Sequence, residues 1–364
     1  MKKIIALSLI LLAIGSMAFA DDAKVMPGLV GRLYVAPNFS FASQGWDVDG
    51  EKTDKFDDPI KVFNLGFALE FGVIDWITAA IQWVPGWTVW SDITPAFAGP
   101  LALMGGAYKG TINTNGVADL FVGAKIQIIG SKAPVANDTF RLAIAPGVVI
   151  PLPGPDFKDV RDDVMANKDI TGQTMDNHVF AAGGRLMFDW QLSDMFFINL
   201  FNESIFFIGS KDMDKDGPTL AITRGMLKGG GAPAALVDLI KGEVKYGYKL
   251  TFEIEPVFST SIADGLILSA GLPVRYVYKP APEYSYSGIN PLIAAIVDPY
   301  LAKEGDPSHS LYINPNISFF LTKTFLPLEF KLQYNFPIWG QNSMATHTVA
   351  LQIKAYFAFP GADL

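Results

Sequence analysis

The chain has 364 residues; half are hydrophobic, 13% aromatic and 18% charged, and the formal net charge is −8 with no cysteine. The acidic balance excludes a nucleic-acid binder, because no basic surface is left to neutralise phosphates. The 27 Phe, 12 Tyr and 7 Trp exclude a disordered chain, and the absence of cysteine excludes disulfides and thiolate chemistry.

The first element is Met1-Lys2-Lys3, an apolar run from Ile4 to Ile14, and Ala18-Phe19-Ala20. A basic start, a short apolar stretch and an A-x-A site predict a signal peptide over 1–20, cleaved after Ala20. Loss of Lys2 and Lys3 takes the net charge of the mature chain, 21–364, to −10. No cysteine comes after the cut to carry a lipid. No later segment offers about 18 uninterrupted apolar residues, so a transmembrane helix does not account for the hydrophobicity.

The mature chain is dominated by period-two alternation. Leu120, Val122, Ala124, Ile126 and Ile128 alternate with Asp119, Gly123, Lys125 and Gln127. Tyr248, Leu250, Phe252 and Ile254 alternate with Lys249, Thr251, Glu253 and Glu255. Leu328, Phe330, Leu332, Tyr334 and Phe336 alternate with Glu329, Lys331, Gln333 and Asn335, and the pattern returns at Val349–Phe359. Runs of about 10–14 residues exceed the usual soluble strand and match a tilted strand crossing a bilayer. Twelve strands are predicted, near 29–43, 60–72, 76–90, 117–129, 138–152, 178–191, 195–208, 244–259, 265–279, 309–322, 325–339 and 345–359. Every second connection is short, from Gly72–Asp75 to Lys323–Thr324, and those between are long. The expectation is one all-β domain over 21–364: a transmembrane antiparallel up-and-down β-barrel of about 12 strands, with short periplasmic turns and long extracellular loops. Its location would be the bacterial outer membrane.

Aromatic residues gather at the strand ends, as amphipathic rings do at a headgroup layer. Trp87, Trp90, Trp339, Tyr246, Tyr248, Tyr276 and Tyr278 fall at the outer rim, and Phe71, Trp76, Trp190, Phe357 and Phe359 at the periplasmic one. The chain thus resembles bacterial outer-membrane β-barrels over nearly all of its mature length. The Phe357-Ala358-Phe359 ending is similar to the signal read by barrel-insertion machinery. Gly116-Val117-Ala118-Asp119-Leu120-Phe121-Val122-Gly123-Ala124-Lys125 is similar to a strand opening of hydrocarbon and fatty-acid channels of the FadL/TodX kind. That resemblance implies an N-terminal plug, whereas strand 1 begins within about ten residues of the cleavage site, leaving no room for one.

Alternation places the other set inward. The basic members are Arg32, Lys125, Arg141, Arg185, Lys245, Lys249, Arg275, Lys279, Lys331 and Lys354. The acidic members are Glu70, Asp119, Asp189, Glu203, Glu253, Glu255 and Glu329. A 12-stranded barrel is narrow, so two readings stand: the charges pair and fill the lumen, or they line a passage for small solutes, anionic or apolar. The loops around Pro95–Leu103, Ala232–Ile240 and Pro291–Ala302 are apolar enough to predict either a self-packed lid or a hydrophobic capture site. Asp212, Asp214 and Asp216 precede Gly217 at the alternate spacing of a calcium loop, but Thr223 stands where a bidentate Glu is wanted, and a solvated acidic loop is the alternative. No other cofactor is implied. His178, His309 and His347 sit in no nucleophile motif, so no enzyme is expected. The predicted function is an outer-membrane channel for small solutes, with lipid and insertion machinery as partners; a closed barrel that displays its loops is the alternative.

Overall fold

In the computed structural model the described residues are 22–55, 58–90, 112–152, 170–172, 179–213, 224, 227–301 and 305–362. Twelve antiparallel staves close into a barrel. They are β1 (Val30–Ala42), β2 (Ile60–Ile74), β3 (Ile77–Trp83 and Pro85–Trp90), β4 (Ile112–Val117 and Leu120–Gly130), β5 (Phe140–Ile150) and β6 (Ala181–Gln191). The rest are β7 (Phe196–Phe207), β8 (Tyr248–Ala263), β9 (Leu266–Gly271 and Val274–Lys279), β10 (Ser308–Ile313 and Asn316–Leu321), β11 (Leu328–Gln341) and β12 (His347–Ala358). Closure is made by β1 against β12, in register from Val30↔Ala358 to Phe41↔His347. In hydrocarbon every backbone N–H and C=O needs a partner within the protein, and a closed sheet supplies it without an edge.

The side chains divide by parity. Leu69, Leu200, Phe252, Ile254, Leu332 and Leu351 are exposed on the outer wall, while Arg32, Glu70, Glu253, Glu255 and Lys331 are buried inside. This inverts a soluble protein, in which exposed leucines would be scattered singly. The short turns bear out their spacing: β2 passes to β3 through Asp75-Trp76, and β8 to β9 through Asp264-Gly265, where Gly265 supplies the positive φ of a tight hairpin.

Four staves are broken, each next to another broken one. β3 stops at Val84 before Pro85 and β4 at Ala118-Asp119, and Ala118 N–H donates to Val84 O across the two gaps. β9 stops at Leu272-Pro273 and β10 at Asn314-Pro315, and Asn314 N–H donates to Pro273 O. Proline has no N–H for the ladder, and an adjacent pair of gaps costs the sheet less than two separate ones.

One predicted boundary is corrected. Residues 244–247 are not part of β8: Gly247 turns the chain at φ 69°, and Lys241–Lys245 pairs instead with Glu283–Ser287 and Lys211–Asp212 in a small sheet outside the ring. Lys245 is exposed there and does not face the lumen. This sheet, with the one-turn helices α1 (Ala234–Val237) and α2 (Ala294–Val297), forms a cap from the β7–β8 and β9–β10 loops. Its core holds Met213, Leu227, Val237, Ile240, Val244, Ile293, Val297 and Leu301. The described parts of the two apolar loops pack into this core, while Leu239, Leu292 and Ile296 stay exposed. The Pro95–Leu103 loop lies outside the described residues.

Candidate functional site: the barrel interior

The inward charges are paired between neighbouring staves. Arg32 donates to Glu70 Oε2 from Nε at 3.0 Å and from Nη2 at 2.5 Å. Glu203 takes Arg185 at 2.8 Å and Lys249 at 3.0 Å. Arg275 meets Glu253 at 2.5 Å, and Lys354 meets Glu329 at 2.8 Å. Lys331 stands 3.7 Å from Glu255, which also accepts from Asn199 and Asn316. Register explains the pairing: Arg32↔Glu70, Arg185↔Glu203, Glu253↔Arg275 and Glu329↔Lys354 are direct cross-strand neighbours, so opposite charges face each other at the closest spacing a sheet offers.

Rings on the same face pack against several of these cations. The Arg32 guanidinium lies 4.6 Å from the Tyr34 ring and 5.7 Å from that of Tyr356, whose hydroxyl donates to Glu329. Arg185 lies 4.7 Å from the Phe121 ring. Each contact holds a charge in place once water is excluded. Asp119 accepts the Leu152 N–H from its place in the β4 gap.

Chain also enters the interior ahead of β1, over the seven residues Asp22–Gly28. Gly28 N–H donates to Asp75 Oδ1 at 2.9 Å in the β2–β3 turn, and Met26 N–H to Thr78 Oγ1 on β3 at 2.8 Å. On β4, Gln127 Nε2 donates to Ala23 O at 2.7 Å, and Lys125 Nζ donates to the carbonyls of Asp22 and Lys24. Ala23 is fully buried among Ala143, Ala145, Met187 and Phe201, and its N–H donates to Asp189 Oδ1 on β6 at 2.9 Å. The Lys24 ammonium lies 5.2 Å from the Phe197 ring on β7. The segment therefore runs from the β2–β3 turn across to β7. Gly72 marks its tightest approach: a Cβ there would stand 1.9 Å from Pro27 O.

Burial opposes ionisation of Asp22, but Lys24 and then Lys125 outweigh it and keep the carboxyl below its usual range. The Gly28 N–H, and after it Lys132, does the same for Asp75 in its turn. Sequence periodicity missed this segment because it has none. Its seats, Thr78 and Gln127, do fall at inward positions, as do the small apolar residues around Ala23.

The other predicted residues are scattered over the barrel. Arg141, partly exposed, stands 3.7 Å from Asp189 Oδ2. Phe357 covers Gly31, and Phe359 meets Phe357 and Phe71 edge-on at the periplasmic end; Trp190 stacks with Phe140, and Trp76 is half-buried in the β2–β3 turn. At the outer end Trp339, His309, Tyr276, Tyr278 and Tyr248 form a continuous outward patch in which Tyr276 Oη and His309 Nδ1 are 2.6 Å apart. His347 lies against Phe41 and bonds Tyr334. The side chains of Trp87 and Trp90, and all of His178, Asp214 and Asp216, lie outside the described residues. Asp212 is exposed and pairs with Glu243 in the cap sheet.

No family model matches the chain, and no curated protein does. Among solved structures it is similar to an outer membrane channel from Pseudomonas putida F1, with a TM-score of 0.59 at 13% identity over 93% of this chain and 100% of that one. The toluene transporter TbuX of Ralstonia pickettii gives 0.36 at 10% identity over 92% and 90%. The β domain of the Bordetella autotransporter BrkA gives 0.41 at 11% over 91% and 100%. The first likeness is one of fold, and the fold is that of a transmembrane barrel of the bacterial outer membrane.

Proposed function

We propose that this chain is an outer-membrane channel for small solutes, exported by cleavage of residues 1–20 and inserted by machinery that reads its last strand. The lumen is narrow, its wall carries charges of both signs with a small basic excess, and its periplasmic part is constricted by Asp22–Gly28. The observation that supports this reading is opposite-sign pairing between neighbouring staves, Arg32 with Glu70, Arg275 with Glu253 and Lys354 with Glu329, and on this reading Asp119, Lys125, Arg141, Arg185, Asp189, Lys249, Glu255 and Lys331 line the same wall. Paired charges cancel the field that a single-sign ring would impose, so the passage selects by width more than by charge. The ordered core shared by the β7–β8 and β9–β10 loops favours a second reading, a closed barrel that presents its outer loops. Planar-bilayer recording separates the two. The channel reading expects discrete conductance that rises when residues 22–26 are deleted. A folded barrel that stays silent with and without the segment supports loop display instead.

A further inference from the structure

We propose that the lumen holds a binding site for an uncharged, multiply hydroxylated solute of the sugar class, built from the carboxamides of Asn38, Asn64, Asn314, Asn316 and Gln333. This names the solute of the proposed channel and rests on that reading.

The register of the barrel lines these groups up. Asn64↔Asn38, Asn38↔Ala350, Ala350↔Gln333 and Gln333↔Asn316 are successive partners, so one rung crosses β2, β1, β12, β11 and β10. Their chain neighbours Phe39, Phe63, Leu332 and Ile317 are exposed on the outer wall, which leaves the rung on the inner face. The next rung outward is uncharged as well. Ser40 and Thr348 share a hydrogen bond of 2.8 Å between their hydroxyls, and Thr348 faces Asn335, which accepts from Gln333 Nε2 at 2.9 Å. Toward the periplasm, Tyr34, Ala36 and Ala68 pack together between these rungs and the ion pair of Arg32 with Glu70.

These amides have hydrogen-bonding capacity left over. Asn64 Oδ1 has no partner among the described residues, nor has either amide atom of the Asn314 side chain, and the two residues are 2% and 1% exposed. Asn314 belongs to the break in β10, and the Asn316 side-chain nitrogen lies 3.5 Å from its carbonyl. Buried polar groups are rarely left in this condition. A hydroxyl donates and accepts at once, so it suits an amide oxygen and an amide nitrogen alike. Successive strands stand about 4.8 Å apart, so a solute with several hydroxyls meets two or more carboxamides together. An apolar solute leaves those groups unpaired, and an ion gives up hydration to a rung with no charged member.

The test inserts the full chain, recovered from outer membranes, into planar bilayers. Ion current is recorded while glucose, gluconate or glucosamine is added at equal concentration and ionic strength. Glucose should interrupt the current saturably, with a half-blocking concentration at least about tenfold below that of either charged analogue. Asn64→Leu and Asn314→Leu should each raise that concentration several-fold. Asn314→Leu should do so with its denaturant midpoint level or raised, because the side chain it replaces makes no hydrogen bond to the described residues. A purely structural rung would instead lower the midpoint and leave the glucose block unchanged. Current without glucose block, equal block by all three solutes, or unchanged block in both variants overturns the site and leaves the channel standing. No current at all overturns the channel reading and this inference with it.

Discussion

At the scale of single residues, the interior depends on pairing. Glu203 serves both Arg185 and Lys249, so Glu203→Gln removes the carboxylate that two cations share where solvent barely reaches. Removing one partner of a buried pair costs about 3–5 kcal/mol. The denaturant midpoint of this variant should fall well below that of Lys323→Ala, whose partner Asp264 is at the surface; equal midpoints would place the Glu203 cluster in free water. Two other residues govern the N-terminal segment. Gly72→Ala puts a methyl into Pro27 O and, at about 1–3 kcal/mol of overpacking, should loosen the segment while the barrel still forms. Asp22 and Asp75 both have carboxyls held below the ordinary 3.8. A depressed carboxyl fixes the sign: the contribution of each is complete above that value and is lost as pH falls below it. The protection of the Gly28 amide, its exchange relative to an unstructured amide at the same pH, should fall on acidification from pH 5 to 2, and Asp75→Asn should flatten the response. A rise in protection with acid would reverse the assignment.

At the scale of elements, each stave carries lipid on one face and lumen on the other, so substitutions should obey parity. Phe252 is exposed on β8 while its neighbours Thr251 and Glu253 are buried. Phe252→Arg should cost about 2–4 kcal/mol in refolding into bilayers, against little for Thr251→Ser. Parity was also what made the fold legible. The staves other than β8 stand near where alternation and the short-long loop rhythm put them, because a one-residue slip would turn every side chain to the wrong solvent. The misjudged start of β8 has a physical cause: Val244 and Tyr246 keep the alternation going into the cap sheet, and only Gly247 separates the two. The stave breaks had a signal in Pro85, Pro273 and Pro315, which stand inside the predicted runs. The segment Asp22–Gly28 had none, since its order comes from side chains on β3, β4 and β6 that lie far away in sequence.

At the scale of the whole molecule, the proposed channel rests on a charge-paired interior and a short N-terminal segment held inside the barrel. The most direct test exploits the absence of cysteine. Single cysteines are placed along β8 at 249, 251, 253 and 255, and in a second set at 250, 252 and 254, in barrels reconstituted into lipid vesicles. Each is offered a water-soluble thiol reagent and a bilayer-confined quencher. The first set should react with the aqueous reagent and escape the quencher, and the second set should do the reverse, residue by residue. Loss of that alternation, or inward thiols that react only after unfolding, would contradict a water-accessible lumen and the transport reading built on it.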